Sequence, residues 1–355
     1  MKYIPSVQGT VCLIGVGVAV SLAFSRAAFA HEAWLLTPSE VDALSRLPPP
    51  GLFTSRISLG IASVIGVAVT VGALRAEERL QSLEARLAAP MVKAGADLGP
   101  IAIRLGLSIM LALAAFGGLP RSGTEPWTEP TLFVPDMHLA FVPGWNWLLV
   151  AELVLAAALA AGFLVRAAAL GVVALSLLGL AVFGQPFLSY APHFIAPGLM
   201  LAISGAGALS LDRILDLDGW LRPGRTLARA GWTSALALLG AGFVYLAISY
   251  KLTQPTLLMA ILEHGEVPLF GLPLAVAALV MTGVELIAGT LLALGRLTRP
   301  IALFLIGSFT FLAITLGESP LLHANLYGAM VMLAMAGREF PHLGSERRLE
   351  RPALI

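Results

Sequence analysis

The sequence predicts an all-α fold, a polytopic transmembrane helical bundle of two parallel four-helix repeats with one extra N-terminal span. Hydrophobic residues make up 58% of the chain and charged residues only 12%, and the mean hydropathy is +0.87. Several windows exceed the roughly 18 apolar residues that a helix needs to cross a bilayer. A chain of this composition is too apolar for a soluble fold, so we expect it to lie in a lipid bilayer. The 22 Lys and Arg residues form no basic stripe, which argues against nucleic-acid binding.

The first thirty residues resemble a secretory leader. Lys2 precedes an apolar stretch over 11–24, and Ala28-Phe29-Ala30 places small residues where signal peptidase requires them. We expect a signal peptide over 1–30 whose cleavage leaves His31 first, with an uncleaved first helix as the alternative. The single cysteine, Cys12, lies in this leader, so the processed chain would carry out no disulfide exchange.

Nine further apolar segments follow, and each is predicted to be a helix because isolated strands would leave backbone groups unpaired in hydrocarbon. Their approximate bounds are 57–74, 100–119, 146–164, 167–185, 193–209, 232–250, 270–294, 299–316 and 321–337.

The orientation follows from the basic residues. Most Lys and Arg fall in the predicted inner connections, whereas the outer segments hold only Arg46, Arg56, Arg121 and Lys251. Positive charge collects on the cytoplasmic side of membrane proteins. We therefore predict a multi-pass protein of the bacterial inner membrane, with the processed N-terminus outside and the C-terminus in the cytoplasm.

Two charged stretches divide the chain. Residues 76–93 carry leucines at helical spacing between charges, which indicates an amphipathic helix along the inner interface. Residues 211–231 form an inner linker with a Pro-Gly turn. The predicted organisation is a leader (1–30), an outer segment with the extra span and inner helix (31–98), a first unit (99–210), the linker (211–231), a second unit (232–340) and a tail (341–355).

An internal repeat relates the two units. The stretch "ELVLAAALAAGFLVRAAAL" from Glu152 recurs as "ELIAGTLLALGRLTRPIAL" from Glu285, with the same spacing from glutamate to glycine and to arginine. Each copy leads to a histidine five residues before a glycine, at 193–198 and 323–328. Four spans per unit give both copies the same orientation, which predicts a parallel duplication.

The four-helix unit with this motif resembles the DoxX family, here duplicated in tandem. The second copy is closer to the family pattern, through "YKLTQP" at 250–255, "VELIAGTLLALGRLTRPIAL" at 284–303 and "GESPLLHANLYG" at 317–328. The first copy has no lysine equivalent to Lys251 and a longer Trp- and Pro-rich outer loop. The resemblance covers residues 99–340. It implies a membrane subunit linked to quinone oxidoreduction, as in thiosulfate:quinone oxidoreductase or terminal quinol oxidase assemblies.

Three charged residues are candidates for proton transfer: Glu152, Glu285 and Lys251. A carboxylate within a membrane helix is protonated, paired or facing a wet cavity. Arg166 lies fourteen residues after Glu152, about 21 Å along a helix, so the partner of Glu152 should come from a neighbouring helix instead. Lys251 is the expected partner of Glu285 or Glu318. The structural alternative is a salt bridge or an interhelical hydrogen bond.

The candidate cofactor-binding residues are His193, His323 and Glu318. The repeat places both histidines at the outer end of the last helix of their unit. They could hydrogen-bond a quinone carbonyl, or hold a metal or a haem between the units. The alternative is a histidine that caps its helix.

A weaker metal site is predicted from His31, His138 and Asp136. An N-terminal histidine offers its amine and a ring nitrogen, which suits copper. The alternative is that outer loops simply collect polar residues.

The leading interpretation is a subunit of a membrane oxidoreductase that contacts quinol near the outer leaflet and acts with a redox-active partner protein. The alternatives are a non-catalytic scaffold subunit of a larger complex and a small-solute or metal transporter.

Overall fold

The computed structural model describes residues 36–117 and 130–339, which form an all-helical bundle. No strand occurs among them beyond an isolated bridge between Thr131 and His138. The predicted leader, His31 and the tail over 341–355 lie outside the described residues. The main helices are α1 (Pro38–Ser45), α2 (Arg56–Phe116), α3 (Trp147–Ala161), α4 (Val165–Phe183), α5 (Ala191–Ser204), α6 (Arg225–Leu246), α7 (Pro255–His264), α8 (Leu274–Ala293), α9 (Thr298–Thr315) and α10 (Ala324–Ala336).

Short helical turns connect these helices. One of them, Ala247–Leu252, is a π-helical continuation of α6. The others are Gly51–Thr54, Leu139–Phe141, Gln185–Leu188, Leu211–Ile214, Pro320–His323 and Gly337–Glu339.

The helices confirm the predicted membrane class. In the described part of the chain, six helical stretches are long and apolar enough to cross a bilayer, and three shorter apolar helices accompany them. Together they match the nine predicted segments, most within a few residues. We call the end of the bundle where α6 ends and α8 begins the site end, and the opposite end the turn end. The sequence predicts that the site end faces outside.

The two spans predicted within residues 57–119 are confirmed, as the two parts of one continuous helix, α2, over Arg56–Phe116. The separate amphipathic helix predicted for residues 76–93 is wrong, because these residues continue the first span. Residues 76–93 contain no glycine and are rich in Ala, Leu, Glu and Arg, which are strong helix formers. The first part of α2 runs parallel to α8, since Gly66 lies against Ile287 and Glu77 binds Arg296 just after α8.

The second part of α2 runs in the opposite direction. Gly95 lies against Met335 and Gly106 lies against Ala324, so this part is antiparallel to α10. Because α8 and α10 are themselves parallel, α2 bends between its two parts. Pro90 lies within this stretch, and an internal proline removes a backbone hydrogen bond and kinks a helix.

The two units pack in the same way. In each unit the first helix packs against the second (α2 with α3, α6 with α8), and the third packs against the fourth (α4 with α5, α9 with α10). The first helix of each unit also packs against the last helix of the other, α2 against α10 and α6 against α5. A twofold axis relating the units would produce this pattern of helix pairs. The exchange of contacts between first and last helices interlocks the two units.

The repeated arginines lie at the turn end and bind backbone carbonyls. Arg166, at the start of α4, donates to the carbonyls of Ala202 and Ile203 near the end of α5. Arg299, at the start of α9, donates to the carbonyl of Ala336 at the end of α10. The last carbonyls of a helix have no partner within it, so each arginine caps the fourth helix of its own unit.

The turns before these arginines are also equivalent. Leu164 and Leu297 both adopt positive φ, 47° and 49°. A carboxylate accepts the backbone N–H of each, from Asp212 at 2.6 Å for Leu164 and from Glu77 at 2.9 Å for Leu297. The repeated spacing from glycine to arginine therefore reflects the same turn geometry in both units. It does not mark a reactive site.

Candidate functional site

A cavity of about 150 Å³ lies at the site end, and its wall is mostly apolar. It is built mainly from the second unit, with α2, the loop around Val134 and the start of α5 closing it from the first. Five of the six residues predicted for proton transfer or cofactor binding line it. They are His193, Lys251, Glu285, Glu318 and His323.

Lys251 and Glu285 form an ion pair in this wall. The Lys251 Nζ lies 2.5 Å from Glu285 Oε2, and the two side chains are 25% and 15% exposed. Lys251 belongs to the π-helical turn Ala247–Leu252, and such turns are frequent at functional sites. The predicted pairing of Lys251 with Glu285 is confirmed, whereas the π-helical turn was not predicted.

Glu318 and His323 form a second acid–base pair. Glu318 Oε2 lies 4.0 Å from His323 Nε2, and the Glu318 side chain is only 8% exposed. Glu318 is in the connection between α9 and the turn Pro320–His323, and burial raises its pKa to about 7. A carboxyl group with this pKa holds or releases a proton near neutral pH.

His193 reaches the same cavity from α5 of the first unit. Its backbone carbonyl accepts a hydrogen bond from the Asn325 side chain at 2.9 Å, which joins α5 to α10. The ring is buried, and its Nε2 atom has no hydrogen-bond partner. A buried nitrogen without a partner is costly, so a ligand that donates or accepts there would be favoured.

A row of aromatic rings connects the two repeat histidines. It runs from His193 to Phe243, then to Phe309, then to His323, with ring centroids 4.9, 6.0 and 5.8 Å apart. Both phenylalanines line the cavity. The two histidines therefore share one site.

Glu152, the sixth predicted residue, does not line the cavity. It is fully buried in α3, and its Oε1 accepts the backbone N–H of Phe133 at 2.7 Å. The exclusion of Arg166 as its partner is confirmed, but the partner is a loop and not a neighbouring helix. The apolar sequence of the helices gave no sign that residues 131–139 fold back over α3.

The residues of the predicted metal site are engaged separately. Asp136 accepts a hydrogen bond from the Tyr190 hydroxyl, and His138 pairs with Thr131 through the backbone. Within residues 36–117 and 130–339, no three His, Cys, Asp or Glu side chains come close enough to hold a metal ion. His31 lies outside the described residues, so the copper site stays a prediction.

The size of the cavity distinguishes between the predicted cofactors. An apolar cavity of about 150 Å³ holds a benzene ring, so a benzoquinone ring without large substituents fits in size. The polar groups needed to bind its oxygens lie in the wall. A porphyrin is several times larger than one ring, so a haem does not fit.

Sequence reasoning missed the helix that covers the cavity. α7 was assigned to an outer loop, yet its residues Leu258, Ile261 and Leu262 line the cavity. On its other side α7 packs against α1, where Leu257 contacts Leu36 and Val41. The helical spacing of the apolar residues in "TLLMAILEH" is the signal that would have found it.

Tyr190 and Asn325 were also missed, because Tyr190 belongs to no recognised motif and Asn325, although it lies within "GESPLLHANLYG", was given no role. No known protein family, curated protein or solved structure matches the chain. The function must therefore be argued from the cavity.

Proposed function

We propose that this chain is an integral membrane subunit of a quinone-linked oxidoreductase, and that the cavity at the site end binds the ring of a quinone or quinol. One observation carries the proposal. Two acid–base pairs, Lys251 with Glu285 and His323 with Glu318, come from four separate elements and meet in a single ring-sized apolar cavity.

The wall supplies what a quinone ring requires. A bound quinone would supply electron transfer coupled to proton transfer. The Lys251 ammonium group donates a hydrogen bond toward a ring oxygen, and Glu285 holds it in place. Phe243 and Phe309 provide aromatic surface for the ring.

The second pair handles protons. Glu318, with its pKa raised to about 7 by burial, holds or releases a proton near neutral pH beside His323, whose Nε2 lies 4.0 Å away. Glu318 lies outside the membrane helices, in the connection after α9, so protons would leave or enter at the site end. With the orientation inferred from the basic residues, that is the outer face of a bacterial inner membrane.

The electrons require a second protein. The sequence contains a single cysteine, in the predicted leader, and no nucleotide-binding fingerprint. We therefore propose a redox-active partner in the same membrane complex.

Equilibrium dialysis of the purified chain against 2-methyl-1,4-benzoquinone, a quinone ring without a tail or large substituents, tests the proposal. Glu285→Gln, which removes the carboxylate that holds Lys251 in place, and His323→Ala, which removes a polar group from the wall, should each weaken binding by about tenfold. Glu263→Gln is the matched control, because Glu263 is exposed at the end of α7. Unchanged binding in both cavity variants, or no binding by the wild-type chain, would overturn the proposal.

A further inference from the structure

The wall of the cavity is buried on one side and partly exposed on the other. Among the residues that the structure describes, every lining residue that the first unit, α6 and α10 contribute is buried, including His193 and Leu326. The lining residues of α8 and α9 are all partly exposed: Met281, Glu285, Phe309 and Leu312. Both groups face the same space, so exposure to the cavity itself does not explain the difference. The cavity therefore opens at the side of the bundle, between α8 and α9.

α7 covers the cavity at the site end. It packs against α8, and Gly265, which follows α7, lies against Leu316, which follows α9. Leu316 and Ala278 of α8 belong to one apolar cluster with residues of α7. Glu318 and His323 are partly exposed at this end, which suits the passage of protons. In the described part of the chain, the side between α8 and α9 is thus the part of the wall that is open to a larger ligand.

The side opening faces hydrocarbon. α8 and α9 are both long and apolar enough to cross a membrane. Met281 lies seven residues after Leu274, the first residue of α8, which places it about 10 Å along the helix. The neighbours of the lining residues in the sequence include exposed apolar side chains, namely Val280, Val284 and Phe311. The opening is therefore bordered by side chains that suit contact with lipid chains and not with water.

The cavity has room for little more than a ring. Its volume of about 150 Å³ holds a benzene-sized group, so a long substituent on that ring would have to lie outside it. The charged pair of Lys251 and Glu285 suits the polar part of a ligand, and the apolar opening suits a hydrocarbon chain. A ligand that fits both is an amphiphile with a polar ring and one apolar chain.

We infer that the cavity takes its ligand directly from the membrane: the ring passes between α8 and α9, and the ligand's hydrocarbon chain stays in this opening among the lipid chains. The substrate class is thus a membrane-soluble quinone with a long apolar chain, and the identity of the ring as a quinone rests on the proposed function. A hydrocarbon chain concentrates such a ligand in the bilayer. An entrance in the bilayer therefore meets the ligand at a higher concentration than an entrance from water would.

Photolabelling tests where the chain of the ligand lies. The probe is 2-methyl-1,4-benzoquinone with one decyl chain that carries a diazirine near the ring, and mass spectrometry identifies the labelled peptides of the purified chain. Label should appear on residues 280–285 of α8 and 308–312 of α9, and an excess of 2-methyl-1,4-benzoquinone should remove it. Leu322→Trp, whose tryptophan fills the cavity, should lose this label. Leu303→Trp, at an exposed position of α9, should keep it.

The outcomes separate this inference from the proposed function. If the tail-less ring binds in dialysis but the competed label lies on α7 or α1, or no label is competed, the entrance between α8 and α9 is wrong and the proposed function stands. If the tail-less ring does not bind, the proposed function is wrong. A decyl-toluene with the same diazirine, competed by toluene, then tests the entrance, because it needs only the ring-sized space and the side opening. Its label on α8 and α9 would support the inference, and label elsewhere would overturn it.

Discussion

At the scale of residues, Lys251 and Glu285 are the charged pair on which the site depends. Each neutralises the other in a mostly apolar wall. Removing one partner of such a pair leaves an uncompensated charge, which costs far more than replacing both.

We therefore expect Lys251→Met and Glu285→Met each to lower the free energy of unfolding by about 3 kcal/mol. The double variant should lose much less than the sum, because neither charge is then left alone. Thermal unfolding in mild detergent measures the four proteins. Strictly additive losses would mean that the two side chains do not interact.

Glu318 should make stability depend on pH. Its pKa is raised from 4.5 to about 7 by burial, so between these values the folded chain keeps a proton that the unfolded chain has released. The stabilising effect of its protonated form is complete below pH 4.5 and is lost as the pH rises to about 7. The wild-type chain should lose up to about 1.4 kcal/mol per pH unit in this window relative to Glu318→Gln.

Melting curves of the wild-type, Glu318→Gln and Glu263→Gln chains from pH 4 to pH 8 check this expectation. Glu263→Gln, at an exposed position, should follow the wild-type profile. Parallel wild-type and Glu318→Gln profiles would contradict it.

Pairs of charges were the most predictable part of the site. A lysine and a glutamate that both lie in membrane helices near the same face have few alternatives to each other, so the pairing of Lys251 with Glu285 could be inferred. The partner of Glu152 could not, because a backbone N–H leaves no mark in the sequence.

At the scale of elements, the repeat motif is explained by the turn end. Arg166 and Arg299 bind the last carbonyls of α5 and α10, and carboxylates from outside the motif hold the turns before them. The sequence placed both arginines at this end correctly. Their role as helix caps required the structure, since the carbonyls that they bind belong to a different helix.

Arg166→Ala should lower the free energy of unfolding by about 1–3 kcal/mol, because two helix-end carbonyls lose their donor. Arg225→Ala is the control, since Arg225 is exposed in the first turn of α6. Thermal unfolding of both variants measures the difference. Equal stability of the two would show that the cap contributes nothing.

Helix bounds followed from hydropathy, but the connections did not. α2 is continuous through a stretch that the charge pattern assigned to a separate helix, and α7 occupies a predicted loop. In α2 local helix propensity continues where the apolar pattern stops, whereas α7 is a short apolar helix between two longer ones. The apolar pattern of a sequence indicates which residues contact lipid or the protein core. Whether a helix continues depends instead on the helix propensity of each residue.

At the scale of the whole molecule, the two units form one structure. The first helix of each packs against the last helix of the other, and the cavity takes Tyr190 and His193 from the first unit and the remaining polar residues from the second. The duplication was visible in the sequence. Its asymmetry was not, because the loop that binds Glu152 lies outside the repeated motif.

The central claim is that the cavity at the site end holds a quinone ring in the membrane. The most direct test is to purify the chain in mild detergent and measure by liquid chromatography the quinone that is extracted with it. The account predicts about one quinone per chain for the wild-type and Leu303→Trp proteins and none for Leu322→Trp, whose tryptophan fills the cavity. Equal amounts of quinone in Leu322→Trp and Leu303→Trp would contradict it.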